Sequence, residues 1–215
     1  MGRSAFFIRT FGCPQHCPWC DSAGTWHPNY IPDKILRMNE VELVNEAAAS
    51  KSKFIVLTGG EPAIHNLKTL SVCAELKGIP LHIETSGAYP LQGTFQWITV
   101  SPKDKWAKPA LESVVRAANE FKLIIEEPAD IPYWNEKLFF ELNGAWMDKR
   151  ATIWLHPEWS KRNDPAILKA ITHQVKFTGD PWRAGYQLHK LFRADALDNR
   201  TQPLAPLGGN PELGY

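Results

Sequence analysis

Short apolar runs recur along the chain, and a polar, glycine or proline motif follows almost every one of them. Between many of these runs, apolar residues recur at helical spacing. Strands that alternate with helices in this way predict an α/β fold with a parallel sheet and crossover helices. The predicted strands are Ala5–Thr10, Lys53–Thr58, Leu81–Glu84, Trp97–Val100, Phe121–Ile125, Thr152–Leu155 and Tyr186–Leu191, and the predicted helices are Asn39–Ala49, Leu67–Lys77, Leu111–Ala118 and Ala166–Gln174.

The length of the chain limits how far such a sheet can close. With 215 residues, the chain is shorter than the roughly 250 residues of a closed eight-stranded barrel. We therefore expect a partial (β/α) barrel with about six or seven mostly parallel strands. We expect residues 1–215 to form a single domain. Residues 192–215 would be a C-terminal arm without regular structure, because the end of the chain is rich in proline and glycine and shows no periodicity.

The polar motifs are expected to converge on one site. Each of them follows the carboxyl end of a predicted strand, and these ends share one face of a parallel α/β array, where ligands bind. The five motifs are Cys13–Cys20, Gly59–Pro62, Thr85–Gly87, Ser101–Lys103 and His156-Pro157.

Composition excludes several classes of protein. The formal net charge of +1 argues against a protein that mainly binds the nucleic acid backbone. No apolar run approaches the roughly 18–20 residues needed to span a bilayer, and the first residues do not resemble a secretion signal. We therefore expect a cytosolic protein with free thiols, and neither nucleic acid nor a membrane as its partner.

Three of the four cysteines, Cys13, Cys17 and Cys20, form a C-x-x-x-C-x-x-C pattern that points to a metal site. A disulfide fits poorly, because three crowded cysteines are odd in number and the compartment is expected to be reducing. Structural zinc needs four ligands, and His16, His27 or Cys73 could supply the fourth. A 4Fe–4S cluster held by three thiolates would instead leave one iron open to a substrate or cofactor.

The motif Gly59-Gly60-Glu61-Pro62, at the end of the next predicted strand, favours the cluster. Together with the cysteine pattern and the aromatic residue before Cys20, it resembles the radical S-adenosylmethionine (SAM) superfamily. The resemblance implies that SAM chelates the open iron and that an electron from the cluster breaks a carbon–sulfur bond of SAM. The two glycines would let the backbone approach closely and offer N–H groups to the cofactor, and Glu61 would accept a hydrogen bond from the amino group of SAM.

Further short matches, in chain order up to about Lys190, resemble the 7-carboxy-7-deazaguanine synthase family within that superfamily. The matching segments are Phe7-Ile8-Arg9, Gly12-Cys13, Cys20-Asp21-Ser22, Thr25-Trp26, Thr58–Pro62, Glu84–Gly87, Ser101–Lys103 and Gln187–Lys190. The resemblance implies a radical ring contraction of 6-carboxy-5,6,7,8-tetrahydropterin to 7-carboxy-7-deazaguanine with loss of ammonia, in queuosine and deazapurine biosynthesis. It also implies Mg²⁺, a homodimer and an electron donor such as flavodoxin or ferredoxin.

The resemblance assigns roles to individual residues. Arg9 and Thr58 would contact the substrate, and a forked guanidinium such as that of Arg9 suits a carboxylate. Ser22 would ligate Mg²⁺, for which a hydroxyl is an acceptable hard-oxygen ligand. The residues that would contact SAM are Trp19, Cys20, Asp21, Gly60, Glu61, Ser101, Pro102, Lys103 and His156.

Two departures from the family pattern bear on these expectations. A Gln-Gly-Glu-Gly segment that contacts the substrate normally precedes the position of Gly2-Arg3, so either the chain start is assigned downstream of the true one or substrate recognition is altered. His156 stands where glutamine is usual. Two other functions remain as alternatives: a radical SAM activase of a glycyl-radical partner protein, and a non-catalytic zinc-binding module.

Overall fold

A computed structural model of the chain describes residues 3–138 and 151–188. Seven parallel strands form one sheet, and their spatial order is the order of the chain. The predicted α/β fold with a parallel sheet is therefore confirmed. The strands are β1 (Phe6–Thr10), β2 (Ile55–Gly59), β3 (Leu81–Thr85), β4 (Trp97–Val100), β5 (Glu120–Ile125), β6 (Thr152–Pro157) and β7 (Trp182–Ala184).

Helices fill most of the crossover connections between consecutive strands. They are α1 (Glu40–Ala49), α2 (Lys68–Leu76), α3 (Glu112–Ala117), α4 (Asp130–Glu136) and α5 (Pro165–Thr178), and only the β3–β4 connection, described throughout, lacks one. A sheet that winds in one direction without reversing its strand order is the arrangement of a barrel rather than of a doubly wound fold. Among the described strands, β1 and β7 are the two edges, so the barrel is open, as predicted.

Local sequence signals explain most of the boundaries. Asn39 caps α1 with a complete capping box: its side chain accepts from the Glu42 N–H, and the Glu42 carboxylate accepts from the Asn39 N–H. Gly78, just beyond α2, has a φ of +65°, the left-handed conformation expected after a helix end.

Several predicted elements differ from the structure. The last described strand is Trp182–Ala184, where Trp182 is buried in the core and the Ile153 N–H bonds the Pro181 carbonyl beside it. Of the predicted strand Tyr186–Leu191, residues 186–188 are not in a strand, and residues 189–191 lie outside the described residues. Strand β6 runs on through His156 and Pro157 instead of stopping before them. Helix α4 was not predicted.

The two faces of the sheet differ in chemistry. On β5, Phe121, Leu123 and Ile125 are fully buried and belong to the larger hydrophobic core, which packs against the helices. Glu120 and Lys122 alternate with them and face the concave side. A second core, around Ile55, Leu57 and other buried residues of β1–β3, α1 and α2, covers the outer side of the first three strands.

No helix of residues 3–138 and 151–188 is long and apolar enough to cross a membrane. The predicted C-terminal arm, residues 192–215, lies outside the described residues. So do His189 and Lys190 at the end of the sequence match. The single-domain assignment for residues 1–215 stays a prediction.

Candidate active site

The cysteine loop leaves the carboxyl end of β1. Gly12, with a φ of +97°, turns the chain, and its N–H donates to the Thr25 carbonyl at 2.8 Å, which closes the base of the loop. Within the loop, Cys17 is buried, while Cys13 and Cys20 are half-buried. All four cysteines of the chain lie in the described residues, and none of them forms a disulfide.

Burial makes these thiols poor acids. It raises the pKa of Cys13 and Cys20, and it raises the pKa of Cys17 to about 11, while the Lys103 ammonium acts in the opposite direction on Cys17. Thiolates are the form that binds metals. Three half-buried or buried thiols in one loop are therefore suited to a cationic centre that stabilises their charge.

The donor set fits an iron–sulfur cluster. In the described part of the chain, no three His, Cys, Asp or Glu side chains lie close enough to hold a single metal ion. A 4Fe–4S cluster does not need such a group, because each thiolate binds a different iron. Cys20 Sγ also accepts hydrogen bonds from the Ser22 N–H at 3.3 Å and from the Trp26 indole N–H at 3.4 Å, which are contacts of the kind that stabilise cluster sulfurs.

The glycine turn after β2 packs directly against the cysteine loop. The Gly60 N–H donates to the Thr10 carbonyl at 3.0 Å, and the Glu61 N–H donates to the Gly12 carbonyl at 2.9 Å. A Cβ atom on Gly60 would lie 2.1 Å from the Gly12 oxygen, so only glycine fits there. The close backbone approach seen here is to the end of β1 and the start of the cysteine loop, which these two N–H groups hold. The approach of the two glycines to the cofactor stays a prediction.

Glu61 joins this turn to the end of β3. Its carboxylate is buried and accepts hydrogen bonds from the Ala63 N–H (3.0 Å), the Thr85 hydroxyl (2.6 Å) and both the N–H and the hydroxyl of Ser86 (2.8 and 2.5 Å). Ser86 Oγ in turn accepts from Gln15 Nε2 of the cysteine loop at 3.0 Å. Three strand ends are thus connected through one carboxylate, and a direct contact of Glu61 with SAM stays a prediction.

The motif after β4 brings a cation to the cysteines. Lys103 Nζ donates to Ser101 Oγ at 2.7 Å and lies 5.1 Å from the centre of the Trp19 ring, and Ser101 Oγ donates to the Lys122 carbonyl at 2.9 Å. Burial lowers the pKa of Lys103, while Cys17 acts to raise it. Pro102, between Ser101 and Lys103, is buried. Of the predicted SAM contacts, Trp19, Ser101 and Lys103 are therefore brought together.

The residues predicted for substrate and Mg²⁺ also lie close to one another. Arg9 Nη1 donates to Ser22 Oγ at 3.0 Å, and Ser22 Oγ is 3.5 Å from Asp21 Oδ1. Thr58 is the β2 residue paired with Arg9 across the sheet. A guanidinium, a hydroxyl and a carboxylate thus meet beside the cysteine loop, at one edge of the concave face.

His156 lies at the end of β6, paired with Ile124 of β5, and is buried. A Cβ atom on Gly185 would lie 2.4 Å from His156 Nε2, so the imidazole and the backbone after β7 pack closely together. The contact of His156 with SAM stays a prediction.

Sequence reasoning missed the ionic residues of the concave face. Glu84 on β3 and Lys122 on β5 form an ion pair of 2.9 Å across β4, and each side chain keeps about a third of its surface exposed (34% and 32%). The Lys122 ammonium lowers the pKa of Glu84, which favours its ionised form. Below this pair, Glu120 accepts from the Thr99 hydroxyl (2.8 Å) and from the Trp154 indole N–H (3.1 Å). The available signal was the alternation of charged with apolar residues in LHIET and EFKLII.

Comparisons with known proteins agree with this site. A family model described as "Radical SAM superfamily" matches residues 7–97, from β1 to the start of β4. A 7-carboxy-7-deazaguanine synthase of Synechocystis sp. is 38% identical over 193 residues, or 89% of this chain and 84% of the relative. The synthase of Escherichia coli (strain K12) is 31% identical over an alignment of 217 positions, which covers 89% of this chain and 90% of the relative.

A solved structure, "Crystal structure of QueE from Escherichia coli", matches with a TM-score of 0.71 and 30% identity over 87% of this chain and 86% of that one. The fold and the three-thiol site define a radical SAM enzyme, a class that carries a 4Fe–4S cluster and SAM. Within this class, the chain belongs to the 7-carboxy-7-deazaguanine synthase family. Neither the glycyl-radical activase nor the zinc-binding module is favoured by these relatives.

Proposed function

We propose that this chain converts 6-carboxy-5,6,7,8-tetrahydropterin to 7-carboxy-7-deazaguanine with loss of ammonia. One observation carries the proposal: the loop with Cys13, Cys17 and Cys20 is hydrogen-bonded to the Gly-Gly-Glu-Pro turn, in a chain 38% identical to a synthase over nearly its whole length. The reaction is that of the family to which the chain belongs.

Cys13, Cys17 and Cys20 would hold the 4Fe–4S cluster. When bound and reduced, the cluster and SAM supply a 5′-deoxyadenosyl radical that removes a hydrogen atom from the substrate. The chain itself would bind and orient the cofactor and the substrate and exclude water from them, as in other cofactor enzymes. Lys103 provides a half-buried cation beside the cysteines, suited to pair with the anionic carboxylate of SAM. The proposed SAM contacts are Trp19, Cys20, Asp21, Gly60, Glu61, Ser101, Pro102, Lys103 and His156.

The substrate would lie on the concave face. Arg9 is suited to pair with the substrate carboxylate. Ser22, whose Oγ lies 3.0 Å from Arg9 Nη1, would ligate Mg²⁺ together with substrate oxygen atoms. Thr58 on β2 and the Glu84–Lys122 pair of β3 and β5 lie on the same face of the sheet and would offer hydrogen bonds to the pterin ring. A ring rich in donors and acceptors needs such partners when it is removed from water.

Anaerobic incubation with reductant, SAM, Mg²⁺ and the carboxy-tetrahydropterin tests the proposal. We expect 7-carboxy-7-deazaguanine and about four irons per reconstituted chain. Cys20→Ser should abolish both, whereas Cys73→Ser, on α2, should change neither and serves as the matched control. Formation of 5′-deoxyadenosine without the deazaguanine product would contradict the substrate, and one zinc without sulfide would contradict the enzyme class.

The Mg²⁺ assignment has its own test. Ser22→Thr keeps a hydroxyl at this position and should retain the dependence of the rate on Mg²⁺ concentration. Ser22→Ala removes it and should raise the Mg²⁺ concentration needed for half-maximal rate. Equal Mg²⁺ dependence of the two variants would contradict a role for the Ser22 hydroxyl in binding the ion.

We also propose a flavodoxin- or ferredoxin-type electron donor, a homodimer and a cytosolic location. The cluster requires an electron from outside the chain, and four cysteines without a disulfide suit a reducing compartment. The dimer is supported by the family resemblance alone. Light scattering of the purified protein tests it, and a mass of one chain at micromolar concentration would contradict it.

A further inference from the structure

One side chain outside the proposed ligand set touches a cluster cysteine. Cys20 Sγ accepts two hydrogen bonds, from the backbone N–H of Ser22 at 3.3 Å and from the indole N–H of Trp26 at 3.4 Å. Of these two donors, only the indole belongs to a side chain. It can therefore be removed by substitution without changing the backbone path of the loop.

The local chain path brings Trp26 back to Cys20. A single 3₁₀ turn, Ala23–Thr25, follows Ser22. The Thr25 hydroxyl donates to the Ser22 carbonyl at 2.7 Å, and the Thr25 carbonyl accepts from the Gly12 N–H at 2.8 Å. These bonds join the exit of the cysteine loop to its entrance, and they place residue 26 beside the sulfur of residue 20.

Two imidazole rings hold the indole in place. His16 stacks on Trp26 with ring centres 4.2 Å apart and an angle of 16° between the planes, and His27 contacts it edge-on at 5.2 Å. His16 adopts a φ of +49°, in the left-handed region that a residue other than glycine enters infrequently. Cys20 is thus contacted by a donor whose orientation is restricted by its neighbours.

We propose that Trp26 is a positioning residue that raises the reduction potential of the 4Fe–4S cluster through its N–H···S bond to Cys20, with His16 holding the indole in the donating orientation. The inference rests on the cluster of the proposed function. The reduced cluster carries one more negative charge than the oxidised cluster. A hydrogen bond to a ligand sulfur therefore stabilises the reduced form more, and such bonds are among the factors that set cluster potentials.

The test is a spectroscopic redox titration of the reconstituted protein without substrate. Trp26→Phe keeps an aromatic ring for stacking but removes the N–H. We expect the ratio of reduced to oxidised cluster at a fixed applied potential to fall about tenfold, which equals about 59 mV for a one-electron couple. Trp97→Phe, on a partly exposed tryptophan of β4, is the matched control and should titrate as the parent does.

A second variant keeps the indole and removes its support. His16→Asn lacks the stacked ring, and asparagine tolerates the left-handed backbone. We expect a shift in the same direction as that of Trp26→Phe, but smaller, about threefold in the same ratio. Iron and sulfide content are measured for every variant, so that a change in potential is compared only among fully loaded proteins.

The results separate this inference from the proposed function. A Trp26→Phe protein with full iron content and the parent's potential would overturn it. If Trp26→Phe does not retain iron, the His16→Asn variant provides the test. An unchanged cluster potential in that variant would overturn the inference as well. A parent protein that holds no cluster at all would contradict the proposed function, and the inference with it.

Discussion

The two faces of the sheet differ in what their residues do. The outer face, represented on β5 by Phe121 and Leu123, is packed against helices and is mostly buried. The concave face of the same strand carries Glu120 and Lys122, which are partly exposed and hydrogen-bonded across neighbouring strands. Parallel strands covered on both sides are usually apolar throughout. The charged alternation here therefore marks a face that is left open for a polar ligand, while the outer face provides stability.

The largest expected effect is on the outer face. Leu123→Ala should lower the free energy of unfolding of the apo protein by about 2–5 kcal/mol, because it removes a fully buried side chain and leaves a cavity. Urea unfolding followed by circular dichroism measures this, with Leu76→Ala, at a position 81% exposed, as the control. Folded Leu123→Ala should retain its activity per bound cluster. An equal cost for the two variants would contradict the assignment of the outer face.

At the mouth of the concave face, buried thiols should make the apo protein sensitive to alkali. Burial raises the pKa of Cys17 from its ordinary 9.0 to about 11. The unfolded chain therefore releases this proton first, so the contribution of Cys17 is complete below pH 9 and is lost as the pH rises towards 11. The loss is about 3 kcal/mol.

Comparison with Cys17→Ala isolates this term from the lysine and tyrosine groups that titrate in the same range. Unfolding free energies of both apo proteins, measured at intervals between pH 8 and pH 11, should fall more steeply for the parent. Parallel curves for the two proteins would show that burial does not raise the pKa of the Cys17 thiol.

A smaller effect is expected at Glu61, in the turn that follows the carboxyl end of β2. The two carboxylate oxygens of Glu61 accept four hydrogen bonds, and Glu61→Gln replaces one of these oxygens with an NH2 group. Either the Thr85 hydroxyl or the Ser86 hydroxyl, together with the backbone N–H that shares its oxygen, then loses its acceptor. We expect the apo protein to lose about 1–3 kcal/mol, measured by urea unfolding against Glu75→Gln on the exposed surface of α2. Unchanged stability of the apo protein together with weaker SAM binding would instead show that Glu61 contacts SAM and does not stabilise the fold.

The smallest effect on stability is expected on the concave face itself. Glu84→Gln breaks an ion pair that is about one third exposed, so the free energy of unfolding should change by less than about 1 kcal/mol. Its kcat/KM for the pterin should nevertheless fall about 10–100-fold, because a charged acceptor for the substrate is lost. Wild-type kcat/KM in this variant would remove Glu84 from the substrate site, and a large loss of stability would place it in the core.

Much of the architecture could be predicted because it depends on local patterns. The apolar run of β4, the capping box at Asn39 and the glycine after α2 fix their elements over a few residues. The last strand could not be predicted in this way, because Trp182–Ala184 is only three residues long and is held by Trp182 in the core and by pairing with β6. Short strands owe their formation to partners far away in the sequence.

The candidate site divides along the same line. The sequence by itself determined the three-thiol loop, the Gly-Gly-Glu-Pro turn and the order of polar strand ends, because spacing and residue type carry that chemistry. Only the tertiary structure decided that the N–H groups of Gly60 and Glu61 bind the cysteine loop, that Glu61 connects it to β3 and that Trp26 donates to Cys20. It also decided that Glu84 meets Lys122 across β4. Hydrogen bonds of this kind depend on distances between atoms, and those distances are set by how strands and turns pack in three dimensions.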